Sequence, residues 1–183
     1  ESTQQDPSTK TVASFWSNVA NAEYEGFELD AQILINEYFR MFFNYGTLDA
    51  TYEGFITDID ESDGIIKLEN ADFLTPRFAP EESFGIGGTL SLPVGQGTVD
   101  IFAKFSRIGE FEANLLNSDL GRAPETDNVN GSIGYYQDNW SIVLYGQNLT
   151  DEQYEVVDPI MPLFAIGTIN QGRRFGVVLS AEF

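Results

Sequence analysis

The last eleven residues read Arg173-Arg174-Phe175-Gly176-Val177-Val178-Leu179-Ser180-Ala181-Glu182-Phe183. Successive side chains of an extended strand point to opposite faces. Phe175, Val177, Leu179, Ala181 and Phe183 therefore share one face. Arg174, Gly176, Ser180 and Glu182 share the other, where Val178 is the one apolar exception. Termini of soluble chains are usually polar and frayed. A strand that alternates this strictly and stops on an aromatic calls for apolar surroundings along its length.

The same period of two runs through most of the chain, and helical periodicity is scarce. In SFGIGGTLSL (83–92), Phe84, Ile86, Leu90 and Leu92 oppose Ser83, Gly85, Gly87, Thr89 and Ser91. After the short VGQG turn, TVDIFAKFSR (98–107) sets Val99, Ile101, Ala103 and Phe105 against Asp100, Phe102, Lys104 and Ser106, which predicts a hairpin. GFELDAQILI (26–35) and YFRMFFNYGTLDATY (38–52) form a second around Asn36-Glu37. NVNGSIGYY (128–136) and WSIVLYGQN (140–148) form a third around Gln137-Asp138-Asn139. Seven strands result if residues 12–35 hold one long strand, and eight if the chain reverses near 18–21. Residues 1–11 read as a polar lead-in loop.

Long polar segments separate the hairpins, at about 54–82, 113–126 and 151–172. They exceed the few-residue connections of a compact domain. All the short turns fall at one end of the strands and all the long loops at the other. A soluble β-sandwich mixes loop lengths at both ends. Short turns on one side and long loops on the other are the pattern of an outer-membrane barrel, with the turns periplasmic and the loops extracellular. The strands are long enough to cross a bilayer when tilted. Aromatics lie near both strand ends, with Tyr135, Tyr136, Trp140 and Phe183 at the turn side and Phe84 and Phe175 toward the loops, as two interfacial girdles require.

Composition agrees and excludes much else. The 183 residues are 42% hydrophobic and 14% aromatic, which is a folding composition rather than a disordered one. The net charge of −20 argues against nucleic acid and against simple docking on an anionic membrane surface. There is no cysteine and no histidine, which removes disulfides, thiol nucleophiles, Ser-His-Asp triads and the usual zinc sites. No apolar run reaches the length of a membrane helix. Without an initiator Met or a signal-peptide pattern, the sequence reads as a mature, trimmed or partial chain.

With the strands placed, the chain resembles the C-terminal part of the β-barrel of a TonB-dependent outer-membrane receptor. NAEYEGFELDA (21–31) resembles the family's descending strand start, and NYGTLDATYEGF (44–55) its ascending partner. APEESFGIGGTL (79–90) is similar to the Pro-containing start of a strand after a long loop. NWSIVLYGQNLTDEQYE (139–155) resembles the penultimate strand with its Asn-Leu-Thr-Asp ending, and GRRFGVVLSAEF (172–183) the last. The resemblance implies a 22-stranded barrel around an N-terminal plug, with residues 1–183 as a C-terminal portion that lacks the plug. It implies uptake of a nutrient such as an iron-siderophore, cobalamin or glycan. Its implied partners are outer-membrane lipid, the remaining barrel strands, the plug, and TonB through the N-terminal part. The barrel-assembly machinery would read Phe175, Val177, Leu179, Ala181 and Phe183 of the last strand. No enzyme and no cofactor is implied. Two alternatives stay open: a closed eight-stranded outer-membrane barrel with a structural or adhesive role, and a soluble carbohydrate-binding β-sandwich.

Few residues point to specific chemistry. Arg77, Phe78 and Arg122 sit in predicted outside loops, where they could meet a ligand. In DIDESDGIIKLE (58–69), Asp58, Asp60, Ser62 and Glu69 occupy positions 1, 3, 5 and 12 of a calcium-loop count. However, Asp63 stands where that loop needs glycine, so a solvated acidic tip is the simpler reading. Asn148-Leu149-Thr150 matches a glycosylation sequon, though it also suits a strand end where Asn148 bonds local backbone. Glu28 and Asp30 could form an acid–base pair but would also suit a wet barrel interior, where Arg40, Lys104 and Arg107 are expected too.

Overall fold

The computed structural model describes residues 2–5, 12–15, 20–59, 67–161 and 164–182. β1 (Ser2–Gln5) and β2 (Val12–Phe15) pair with each other. β3 (Asn21–Leu34) and β4 (Phe39–Glu53) form the first long hairpin. β5 (Ile56–Asp58) and β6 (Leu68–Asn70) make a short ladder in the loop that follows. β7 (Glu82–Val94) and β8 (Gly97–Ile108) are the second long hairpin. β9 (Phe111–Glu112) and β10 (Arg122–Ala123) pair inside the next loop, beside a 3₁₀ turn at Asp119–Gly121. β11 (Thr126–Gln137) and β12 (Trp140–Gln147) form the third hairpin, β13 (Glu155–Met161) and β14 (Phe164–Ile169) a loop hairpin, and β15 (Arg174–Ala181) ends the sheet.

The principal sheet has seven antiparallel strands in the order β15-β12-β11-β8-β7-β4-β3, and its outer strands β15 and β3 do not pair with each other. The count is thus seven. The first long strand starts at Asn21, and Val12–Phe15 belongs to a separate pair whose other strand, Ser2–Gln5, occupies part of the predicted lead-in loop. Among the described residues the meander stays open, with no closed eight-stranded barrel, and no second large sheet packs on it as a sandwich would require.

Local chemistry explains the turns. Gly95 has φ 64° while Gln96 does not share a positive φ, the pattern of a II′ hairpin turn whose first central residue must be glycine. At the first hairpin Asn36 Oδ1 accepts from the amides of Tyr38 and Phe39, both at 2.9 Å, an Asx turn that reverses the chain without glycine. On the sheet, the Phe42 ring lies over Gly87 and leaves no room there for a Cβ.

Register fixes the faces, because directly opposed residues point the same way. One row across the sheet reads Ile33, Met41, Gly88, Ala103, Gly131, Gly146 and Phe175. Its neighbours on this face include Leu29, Phe43, Ile86, Leu90, Phe105, Ile133, Leu144 and Leu179, an almost unbroken apolar surface. The opposite face carries Glu28, Asp30, Arg40, Asn44, Thr89, Asp100, Lys104, Asn130 and Arg174. Among the described residues, the buried hydrophobic side chains, Phe55, Ala71, Leu74, Ala79, Ala113 and Ala123, all lie in the loops. The core therefore sits in the loops, not behind the sheet.

Candidate ligand-binding loops

Residues 54–59 and 67–81 fold against 109–125 at the long-loop end. Phe55 packs with Ala71 and Leu74, and Tyr52, Ala20, Ile59, Leu115 and Leu116 close around them. The Tyr52 ring, at 4.6 Å from that of Phe55, ties this small core to the wall. Asp72 Oδ1 accepts the Phe55 amide at 2.6 Å, and Asn70 Nδ2 donates to Asp72 Oδ2 at 2.8 Å. The Asn70 amide and the Phe55 backbone hold the Asp72 carboxyl below its ordinary pKa. Between the loops, the Thr75 amide donates to Asn117 Oδ1 at 2.6 Å, and Asn117 Nδ2 returns a bond to the Thr75 carbonyl at 3.0 Å. This reciprocal pair mimics a strand bridge and uses a left-handed Asn117, φ 50°.

Arg77, Phe78 and Arg122 come together around β9. The Phe78 amide donates to the Glu112 carbonyl at 2.8 Å, and the Phe78 and Phe111 rings stand 5.8 Å apart. The Arg77 guanidinium lies 5.9 Å from the Phe78 ring centroid. Arg122 Nε donates to Glu112 Oε1 at 2.9 Å, and that bond, with Glu110 and Asp119 near, raises the Arg122 pKa. Phe111 and Glu112 were not singled out from sequence. Their role arises from β9 pairing with β10, which sets Glu112 opposite Arg122.

The other sequence candidates separate. Asp58 pairs with Leu68 and Thr57 with Glu69, so Asp58 and Glu69 point to opposite faces of the β5–β6 ladder. Glu69 is taken by Lys67 at 2.5 Å. Asp60 and Ser62 lie outside the described residues. Among the described residues no group of three or more acidic side chains is placed to hold a metal ion. Glu28 and Asp30 are neighbours on the polar face, opposite Gly46 and Asn44. Arg40 and Lys104 share that face. Arg107 does not: strand parity puts it with Phe105 on the apolar face, at the loop-side edge, where Asp127 grips it in two bonds of 2.7 Å.

Asn148 anchors the last loop. It is 4% exposed with φ 50°, and Nδ2 donates to the carbonyls of Glu152, at 2.8 Å, and Gln171, at 3.1 Å. Oδ1 accepts the Glu152 amide at 3.0 Å. A buried amide with its donors committed is closed to glycosylation, so Asn-Leu-Thr-Asp here is a loop root. The segment above it is less polar than it reads in outline: β13 and β14 are rich in Val and Ile.

The apolar face has the dimensions of a membrane wall. From Val94 to Phe84 every second residue of β7 is apolar or glycine, and Glu82 ends the run. Ten residues of strand span ~34 Å, or about 25 Å of height at a barrel strand's usual tilt. Aromatic rings mark both levels: Tyr135 and Trp140 lie 5.4 Å apart at the turn side, and Phe84 stands between Phe43 at 5.5 Å and Phe105 at 6.0 Å toward the loops. In the last strand Phe175, Val177, Leu179 and Ala181 all face the apolar side, and Phe183 lies outside the described residues.

Comparison with solved structures gives the same architecture. The ferric yersiniabactin uptake receptor FyuA from Yersinia pestis superposes with TM-score 0.75 at 17% identity, over 91% of this chain and 24% of that one. BauA, the ferric preacinetobactin receptor from Acinetobacter baumannii, superposes with TM-score 0.66 at 16% identity, over 100% of this chain and 25% of that one. No protein-family profile matches the chain, and no curated protein matches it. The chain has the fold of a piece of β-barrel wall like that of these two proteins. It spans about a quarter of the length of these two receptors.

Proposed function

We propose that this chain is the C-terminal part of the barrel of a TonB-dependent outer-membrane receptor that binds and imports a nutrient. The observation that carries the reading is the exposed apolar face. Seven meander strands present an apolar band about 25 Å high, ringed by aromatics at both levels, with every long loop at one end. In water such a surface would drive aggregation, whereas in a bilayer it is the solvated one. The likeness to two ferric siderophore receptors supports an iron chelate as cargo ahead of cobalamin or a glycan.

In this reading the polar face lines the lumen, where Glu28, Asp30, Arg40, Asp100 and Lys104 meet a plug. The loops carrying Arg77, Phe78 and Arg122 face the medium and contact the ligand. The last strand carries the barrel-assembly signal in Phe175, Val177, Leu179, Ala181 and Phe183. TonB would act through a plug-bearing segment that these 183 residues do not include, and the chain performs transport, not catalysis.

The test is fractionation of source cells followed by extraction without boiling. The chain should sediment with the outer membrane, need detergent to leave it, and travel with barrel and plug sequence. Recovery as a soluble monomer in the absence of detergent would overturn the proposal.

A further inference from the structure

The chain carries far more acid than base, with 29 acidic and 9 basic residues. Most of its described cations are accordingly taken. Lys67, Arg107, Arg122 and Arg173 are engaged by carboxylates, Arg174 donates to Gln147, and Arg77 lies over the Phe78 ring. Among the described residues, Arg40 and Lys104 are the two basic side chains that enter no hydrogen bond, ion pair or ring contact. Both lie on the polar face of the sheet, close together.

Register places them at opposite corners of one small lattice. Arg40, Thr89 and Phe102 form one row across β4, β7 and β8, and Phe42, Gly87 and Lys104 form the next. Strand spacing and rise put Arg40 and Lys104 ~12 Å apart at the backbone. The other two corners are Phe42 and Phe102, whose rings stack at 6.1 Å with 13° between their planes. Gly87 allows this, because the Phe42 ring occupies the space that a Cβ would need there. The acids of this face, Glu28, Asp30 and Asp100, stand outside the lattice, and none bonds to either cation. An apolar mound between two uncommitted cations is complementary to an apolar side chain flanked by carboxylates. An extended segment carries residues i and i+4 on one face about 13 Å apart, with i+2 between them. The two spacings match.

We infer that this lattice anchors an extended segment of the plug, one with an apolar residue and an acid two positions to either side of it. The inference rests on the receptor reading, in which the polar face lines the lumen. It adds the place of contact and the chemistry of the partner. The test is photo-crosslinking in the full-length receptor in its own outer membrane, with p-benzoylphenylalanine at Thr89 and mass-spectrometric mapping of what is captured. The captured peptide should belong to the plug and show that acid-flanked pattern. In detergent-solubilised receptor that keeps its heat-modifiable migration, Arg40→Gln combined with Lys104→Gln should speed hydrogen exchange of the captured peptide by roughly tenfold, as loss of two partly exposed ion pairs implies. Arg107→Gln, on the apolar face, should leave that exchange unchanged. Where the double variant does not reach the folded form, the captured peptide decides alone.

Capture of a peptide without flanking acids, no capture of the plug, or unchanged exchange in the folded double variant overturns the inference and leaves the receptor reading standing. Capture of lipid would put this face in the membrane and overturn the receptor reading as well.

Discussion

Leu179 and Phe55 are both large and apolar, yet Leu179 is 74% exposed and Phe55 0%. They belong to regions built on opposite rules. On the proposed receptor reading, the wall turns its apolar residues to lipid and satisfies its backbone through strand pairing, as a structure there must. The loop unit buries a small apolar core and pins it with side-chain amides, as a structure in water must. Tyr52, at the loop-side end of β4 and against Phe55, is where the two rules meet. The comparison teaches that exposure here has no single meaning: outward leucines in the wall are at home, and an outward Phe78 in the loops is not.

We predict that Phe55→Ala has the largest effect, about 3–5 kcal/mol within the loop unit, because it empties the centre of a small core. Limited proteolysis should then cut 54–81 and 109–125 while the wall stays resistant. Loss of the wall along with the loops would break the division drawn above. Next comes Ile101→Arg, at mid-height on the apolar face, expected to cost ~2–4 kcal/mol in lipid. Ser132→Arg, on the polar face of the adjacent strand, should cost less than ~0.5 kcal/mol. Equal effects in a urea titration from bilayers would mean that the faces are wrongly assigned.

Asn148→Ala should destabilise the root of the last loop by about 2 kcal/mol, since it strands the Gln171 carbonyl and the Glu152 amide, while the Glu152 carbonyl keeps Asn170 Nδ2. Faster hydrogen exchange confined to 148–173 would show it. Asn117→Ala removes both of its bonds to Thr75 and should cost roughly 1–2 kcal/mol, read as earlier melting of the loops alone.

The smallest effect concerns pH. Asp72 is more acidic in the fold than in the unfolded chain, so its contribution is complete above the ordinary carboxylate pKa of about 3.9. It is lost only as pH falls through the lower, folded value. Exchange of the Phe55 amide should accelerate in that acid window, and Asp72→Asn should abolish the dependence.

Much of the wall was legible in sequence because period-two alternation maps directly onto faces. SFGIGGTLSL and TVDIFAKFSR pair as predicted, with Ile86 opposite Phe105 and Leu90 opposite Ile101. Even the expectation for Arg107 failed for a reason present in the sequence: the parity of Phe105 already placed it outward. The loops were not legible in this way. Nothing local in Asn117 announces Thr75, which is 42 residues away, and nothing in Glu112 announces both Arg122 and the Phe78 backbone.

By itself, then, the order of residues determined most of the long strands, the faces they present, the places of the short turns near Gly95 and Asn36, and the apolar character of one side. These follow from interactions between near neighbours and from a strict two-residue repeat. Only the tertiary structure decided that Asp58 and Glu69 point apart, that Asn148 is a buried anchor, and that Phe78, Phe111 and Arg122 meet. Those facts depend on contacts between distant segments, whose cost in chain entropy is met by the packed loop as a whole and leaves no periodic trace.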